Sequence, residues 1–160
     1  TYKSEGVCRI ADIVEKNFSG SRTTYYVLRP IYKESSTVYV PTQNEILTSK
    51  MKRILSVEEI DKTLNELKLL EPFWPNDPDE RKQYYKDLLA LGNRARILMA
   101  VFEIKKRQVP VAKNARKPHI FDLQFMREQE KIICEEFGLV LKNNPSEIWE
   151  YIENKLNQQH

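Results

Sequence analysis

Glycine, cysteine and histidine are scarce in this 160-residue chain, with four, two and two copies. Gly6, Gly20, Gly92 and Gly138 lie too far apart to build a phosphate-cradling loop. Cys8 and Cys134 fit no metal-ligand spacing and read as two buried thiols packing as small hydrophobes. His119 falls in a polar connection and His160 at the C-terminus, so neither a Ser-His-Asp signature nor a Cys/His cluster can be written. No run approaches about 18 apolar residues, so no membrane-spanning helix is readable. The opening TYKSEGVCRI holds no apolar signal core. It enters a strand-like pattern so soon that a few native residues are expected ahead of it. Net charge is also small, +3 from 26 Lys and Arg against 23 Asp and Glu, so only its local distribution is informative. These absences argue against an enzyme, a metal site, a cofactor and a small-molecule substrate.

A hydrophobic share of 41% is enough to build a core. The first 45 or so residues read as β. GVCRIADIV and TTYYVLRPIY are rich in β-branched and aromatic residues, and the EKNFSGSR between them suggests a hairpin turn. STVYVP gives a third strand, stopped by Pro41, with Val38 and Val40 on one side and Thr37 and Tyr39 on the other. From Ser56 the period changes to that of helices. Ser56 with Glu59 forms a capping-box pattern, and Val57, Ile60, Leu64 and Leu67 share a face. Asp77-Pro78 with Glu80 starts a helix carrying Tyr84, Leu88 and Leu91 that stops near Gly92-Asn93. A helix over about 95–106 carries Ile97, Leu98, Val101 and Phe102. After a basic connection holding Pro110 and Pro118, a long helix carries Leu123, Met126, Ile133 and Phe137, with Gly138 fitting its C′ position. Asn144-Pro145 with Glu147 starts the last, with Ile148, Ile152 and Leu156. The expected fold is α+β: a small antiparallel β-sheet or open barrel over residues 1–47, then an all-helical domain of about five helices over 48–160.

Three features invite a binding function. Lys105, Lys106, Arg107, Lys113, Arg116 and Lys117 fall together, with no acid between Glu103 and Asp122. Such a run either neutralises nucleic-acid phosphates or forms a solvated connection; composition leaves both open. Tyr25, Tyr26, Tyr32 and Tyr39 put rings on at least one sheet face, and one small core cannot cover both faces of a three-stranded sheet. The sheet also has an edge open to pairing, a common protein-docking mode. Finally, Trp74 sits between Pro72 and Pro75, where it either packs with Phe73 against a helical core or is displayed to a partner.

YxxxGVCRIADI, a Gly-bearing turn, TYYVLRP and VYVPTxN resemble the N-terminal part of the CarD/CdnL family of bacterial transcription regulators. SVEEI through DPDERKQYYKDLL resembles that family's helical domain. The resemblance implies a cytoplasmic protein whose β domain docks on the RNA polymerase β subunit. Its helical domain would then lie on promoter DNA without sequence readout, at the upstream edge of the transcription bubble, and modulate open-complex stability. Lys16, Tyr26, Arg29 and Tyr39 are the expected polymerase contacts. Arg81, Lys82, Tyr85 and Lys86, with the basic run just named, are the expected DNA contacts. Family members wedge a Trp into the minor groove; here Arg81-Lys82-Gln83-Tyr84-Tyr85 stands at that helix start, and Trp74, seven residues earlier, is the candidate wedge. The alternative is a protein-protein adaptor that docks on polymerase or another partner without touching DNA.

Overall fold

The computed structural model describes residues 1–33, 35–109 and 117–158. Lys113, Arg116 and Pro110 lie outside them. The chain divides into two compact units, Thr1–Ile54 and Leu55–His160.

The first unit is a three-stranded antiparallel sheet in the order β1 (Cys8–Lys16), β2 (Thr23–Pro30), β3 (Val38–Pro41). A 3₁₀ turn at Lys3–Glu5 precedes it and a short helix α1 (Glu45–Thr48) follows, N-capped by Asn44. An isolated bridge between Tyr2 and Met51 ties the two ends of the unit together. Pairing of β1 with β2 shifts between Ile10 and Asp12, leaving Ala11 as a bulge. Residues opposite one another across strands share a face. One face holds Leu28, Val40, Tyr26 and Val38, which pack with Tyr2, Leu47 and Met51 as a small core. The alternation expected of STVYVP is observed, with Val40 buried and Tyr39 exposed.

The second unit contains α2 (Val57–Leu69), α3 (Pro78–Leu91), α4 (Arg94–Gln108), α5 (Ile120–Leu141) and α6 (Pro145–Asn157). Its caps follow the local chemistry of the sequence. Ser56 and Glu59 form the reciprocal capping box of α2. Asp77 accepts the Asp79 and Glu80 amides at the start of α3, and Asn144 accepts the Ser146 amide at the start of α6. Gly92 ends α3 in the left-handed region at φ 69°, a conformation glycine adopts without a Cβ penalty. α5 is the central helix: six consecutive residues, Ile133 to Gly138, are buried. Its partners include α4 and α6. Phe137, Ile60, Leu98, Ile148 and Ile152 are fully enclosed there, each stabilising the fold by about 1.5–3 kcal/mol relative to an exposed side chain.

Two sequence expectations are corrected. Gly138 is not the C′ residue of α5, because the helix runs on to Leu141 and Lys142 takes the left-handed position at φ 56°. Gly138 instead allows a close approach. A Cβ there would lie 3.0 Å from the Asn143 carbonyl oxygen and 3.2 Å from the Pro145 nitrogen. In α3 the buried stripe is Arg81, Tyr85 and Leu88, whereas Leu91 is exposed and Tyr84 half-buried.

Candidate functional site

The outward face of the β-sheet is built from the residues that alternate with the small core. In register, Arg9 stands opposite Arg29, and Val27 stands opposite both Asp12 and Tyr39. The Ala11 bulge puts Arg9 and Asp12 on the same face, although three positions apart they would otherwise point oppositely. Together with Lys16, these side chains line a cleft of about 540 Å³. Asp12 contributes the cleft's only carboxylate, and its Oδ1 accepts the Ile13 amide at 2.8 Å. Beside the cleft, Phe18 from the hairpin turn meets Tyr25 and Tyr39 edge-on, with ring centroids 5.2 Å apart in each case. The outer side of β1 pairs with no strand among the described residues.

Of the four expected polymerase contacts, Lys16, Arg29 and Tyr39 converge on this cleft. Tyr26 does not; it packs against the small core on the other face. Sequence reasoning missed Arg9 and Phe18. Arg9 was findable from the pairing of β1 with β2, had the bulge been placed. Phe18 sits among polar turn residues and carried no signal of its own.

The helical unit treats its expected DNA contacts very unequally. Arg81 is only 3% exposed. Its Nε and Nη2 donate to the two oxygens of Asp122 at 2.9 and 3.1 Å, and its Nη1 donates to the Pro75 carbonyl. The Tyr85 hydroxyl donates to Asp122 at 2.7 Å, and its ring stacks on Phe125 at 4.1 Å. The His119 amide completes the shell of Asp122 at 2.7 Å. Burial pushes the Asp122 carboxyl up, but the Arg81 and Tyr85 hydrogen bonds outweigh it and hold the group below its usual range. Burial also drives the Tyr85 hydroxyl upward, so it stays protonated. Arg81 and Tyr85 are therefore interior groups that tie α3 to α5, not surface contacts as the sequence suggested. Asp122, the organiser of this network, went unassigned in the sequence, although it ends the acid-free stretch three residues after His119.

Trp74 is half-buried against the helical core, with the guanidiniums of Arg81 and Arg107 over its ring at 4.5 and 4.2 Å. Phe73 is exposed and meets Tyr84 edge-on. Arg107 also pairs with Glu103. Lys105 is held by Glu130 at 2.9 Å and lies over Trp149. Lys82 pairs with Asp79 and lies over Phe121. Lys86, Lys106 and Lys117 are exposed and make no ion pair among the described residues.

No helix among the described residues is long and apolar enough to cross a membrane. A family model described as the CarD-like/TRCF RID domain matches residues 1–55, about a third of the chain. No curated protein matches the chain.

Proposed function

Starting from an N-terminal unit that carries a CarD-like/TRCF RID domain, we propose that this protein is a transcription regulator that binds RNA polymerase through its β-sheet, without catalysing a reaction. The observation that carries this reading is the convergence of Lys16, Arg29 and Tyr39 on one cleft within the matched residues. The cleft lies beside an unpaired edge strand, and that combination suits a protein partner: the edge offers backbone hydrogen bonds, the cleft side-chain selectivity. The polymerase β subunit is the proposed docking partner.

We assign the helical unit an approach to promoter DNA that reads no sequence and modulates open-complex stability. Lys82, Lys86, Lys106 and Lys117, all exposed, are the DNA contacts we assign to it; Lys113 and Arg116 belong to the same basic run but lie outside the described residues. Docking on polymerase makes the DNA contact effectively intramolecular, so individually weak contacts suffice. The packing of Trp74 beneath two guanidiniums supports a stacking role in the helical core rather than a wedge.

A second reading, an adaptor that docks without touching DNA, is favoured by charge. Residues 55–160 carry 17 Lys and Arg against 18 Asp and Glu, a net of −1. A salt titration on forked promoter DNA with polymerase present separates the two. A steep loss of the protein's effect with salt supports phosphate contacts; an effect insensitive to salt and to loss of the fork supports the adaptor.

A further inference from the structure

We propose that the outward sheet face binds an acidic segment of the partner protein, with Arg9 and Arg29 as its paired carboxylate-binding residues. The inference deepens the docking reading above and rests on it only for the partner's identity.

Arg9 and Arg29 stand directly opposite each other on adjacent strands. Like charges in that position repel and destabilise a sheet. Both side chains are exposed, and neither has an ion-pair partner among the described residues. The one carboxylate lining the cleft, Asp12, turns an oxygen to its neighbour's amide. The free protein thus keeps a like-charge pair with no direct ion-pair partner among the described residues. A carboxylate between the two guanidiniums removes that repulsion, and each planar fork can take one bidentately. Lys16 adds a third cation along the same strand.

Charge across the chain points the same way. Residues 1–54 hold nine Lys and Arg against five Asp and Glu, a net of +4, while the remainder nets −1. The positive excess is confined to the unit that carries this face. Complementary potential of this kind steers association and selects the partner. The flanking features specify a peptide rather than a bare anion. Tyr39 offers exposed ring surface in the same cleft as the arginines, and the β1 edge offers backbone groups to an extended chain.

The test is a calorimetric titration of the full chain with a ten-residue glutamate peptide, with a DNA duplex, and with purified bacterial RNA polymerase. Wild type is compared with Arg9→Gln, Arg29→Gln and the double variant. Glutamine keeps much of the stem and removes the charge, so the double variant should fold with an unchanged or higher Tm. We expect it to bind both the glutamate peptide and polymerase about tenfold more weakly or worse. Peptide binding that depends on the pair, with no polymerase binding by wild type, would leave this inference standing and sink the docking reading. Polymerase binding that ignores the pair would do the reverse. Wild-type indifference to the peptide, or tighter pair-dependent binding of the duplex, would overturn the acidic-segment assignment.

Discussion

Replacing Asp122 with Asn puts the buried network under the sharpest strain. Four donors converge on the two Asp122 oxygens: Arg81 Nε and Nη2, the Tyr85 hydroxyl and the His119 amide. Asparagine offers one acceptor oxygen, and its amide nitrogen would point donor hydrogens at donors. The substitution also strands the Arg81 charge, at 3% exposure, without a counter-ion. Breaking a buried pair in this way costs about 3–5 kcal/mol, a large part of the roughly 5–15 kcal/mol that holds a domain together. For a unit of this size that corresponds to a Tm fall on the order of 10–20 °C. Circular dichroism melts and urea titrations read it directly. The double variant Arg81→Met/Asp122→Leu removes both charges and should recover part of the loss; the remainder is the cost of leaving the Tyr85 hydroxyl and the His119 amide without their acceptor. Asp122 also gives the helical unit an acid sensitivity. Its pKa is lower folded than unfolded, so its contribution is present above the unfolded carboxylate value, 3.8, and is lost as pH falls through the folded one. The wild-type urea midpoint should therefore drop more steeply below about pH 4 than that of Asp122→Asn. A single-variant Tm loss under about 3 °C, or a double variant no better than the single, would refute the reasoning.

Trp74→Ala should lower the melting temperature through about 1–3 kcal/mol of lost packing and cation–π contact; a full-length variant that melts normally yet loses open-complex stabilisation would restore the wedge. Gly138→Ala gains helix propensity, about 1 kcal/mol, but its Cβ meets Asn143 and Pro145 backbone. Overpacking of about 1–3 kcal/mol should prevail, read as a lower urea midpoint. Lys86→Glu and Lys106→Glu should each flatten the salt dependence of the protein's effect on forked promoter DNA, by about one unit of log–log slope per lost phosphate contact, and leave polymerase retention intact.

How much of this was legible varies with the range of the forces involved. Ser56-Glu59, Asp77-Pro78 and Asn144-Pro145 marked their helix starts correctly, because capping joins a side chain to amides two or three residues away. The three strands were readable from alternation and β-branched content. Gly138 misled because the end of α5 is set by tertiary packing: half-buried Val140 and Leu141 continue the buried surface, so the helix runs on past the glycine. Arg81 misled for a related reason. A charged residue in a helical pattern reads as solvent-facing, and only a carboxylate 41 positions away makes its burial tolerable. On the sheet, Lys16, Arg29 and Tyr39 were named from the resemblance, whereas Arg9 needed the bulge that brings it opposite Arg29.

Docking through the sheet is the central claim, and retention of purified bacterial RNA polymerase by the immobilised full chain tests it most directly. We expect saturable retention, weakened by Lys16→Glu and Tyr39→Asp in the cleft and unaffected by Lys86→Glu in the helical unit. A chain that retains no polymerase, or whose retention ignores the cleft substitutions and fails with Lys86→Glu, would contradict the account.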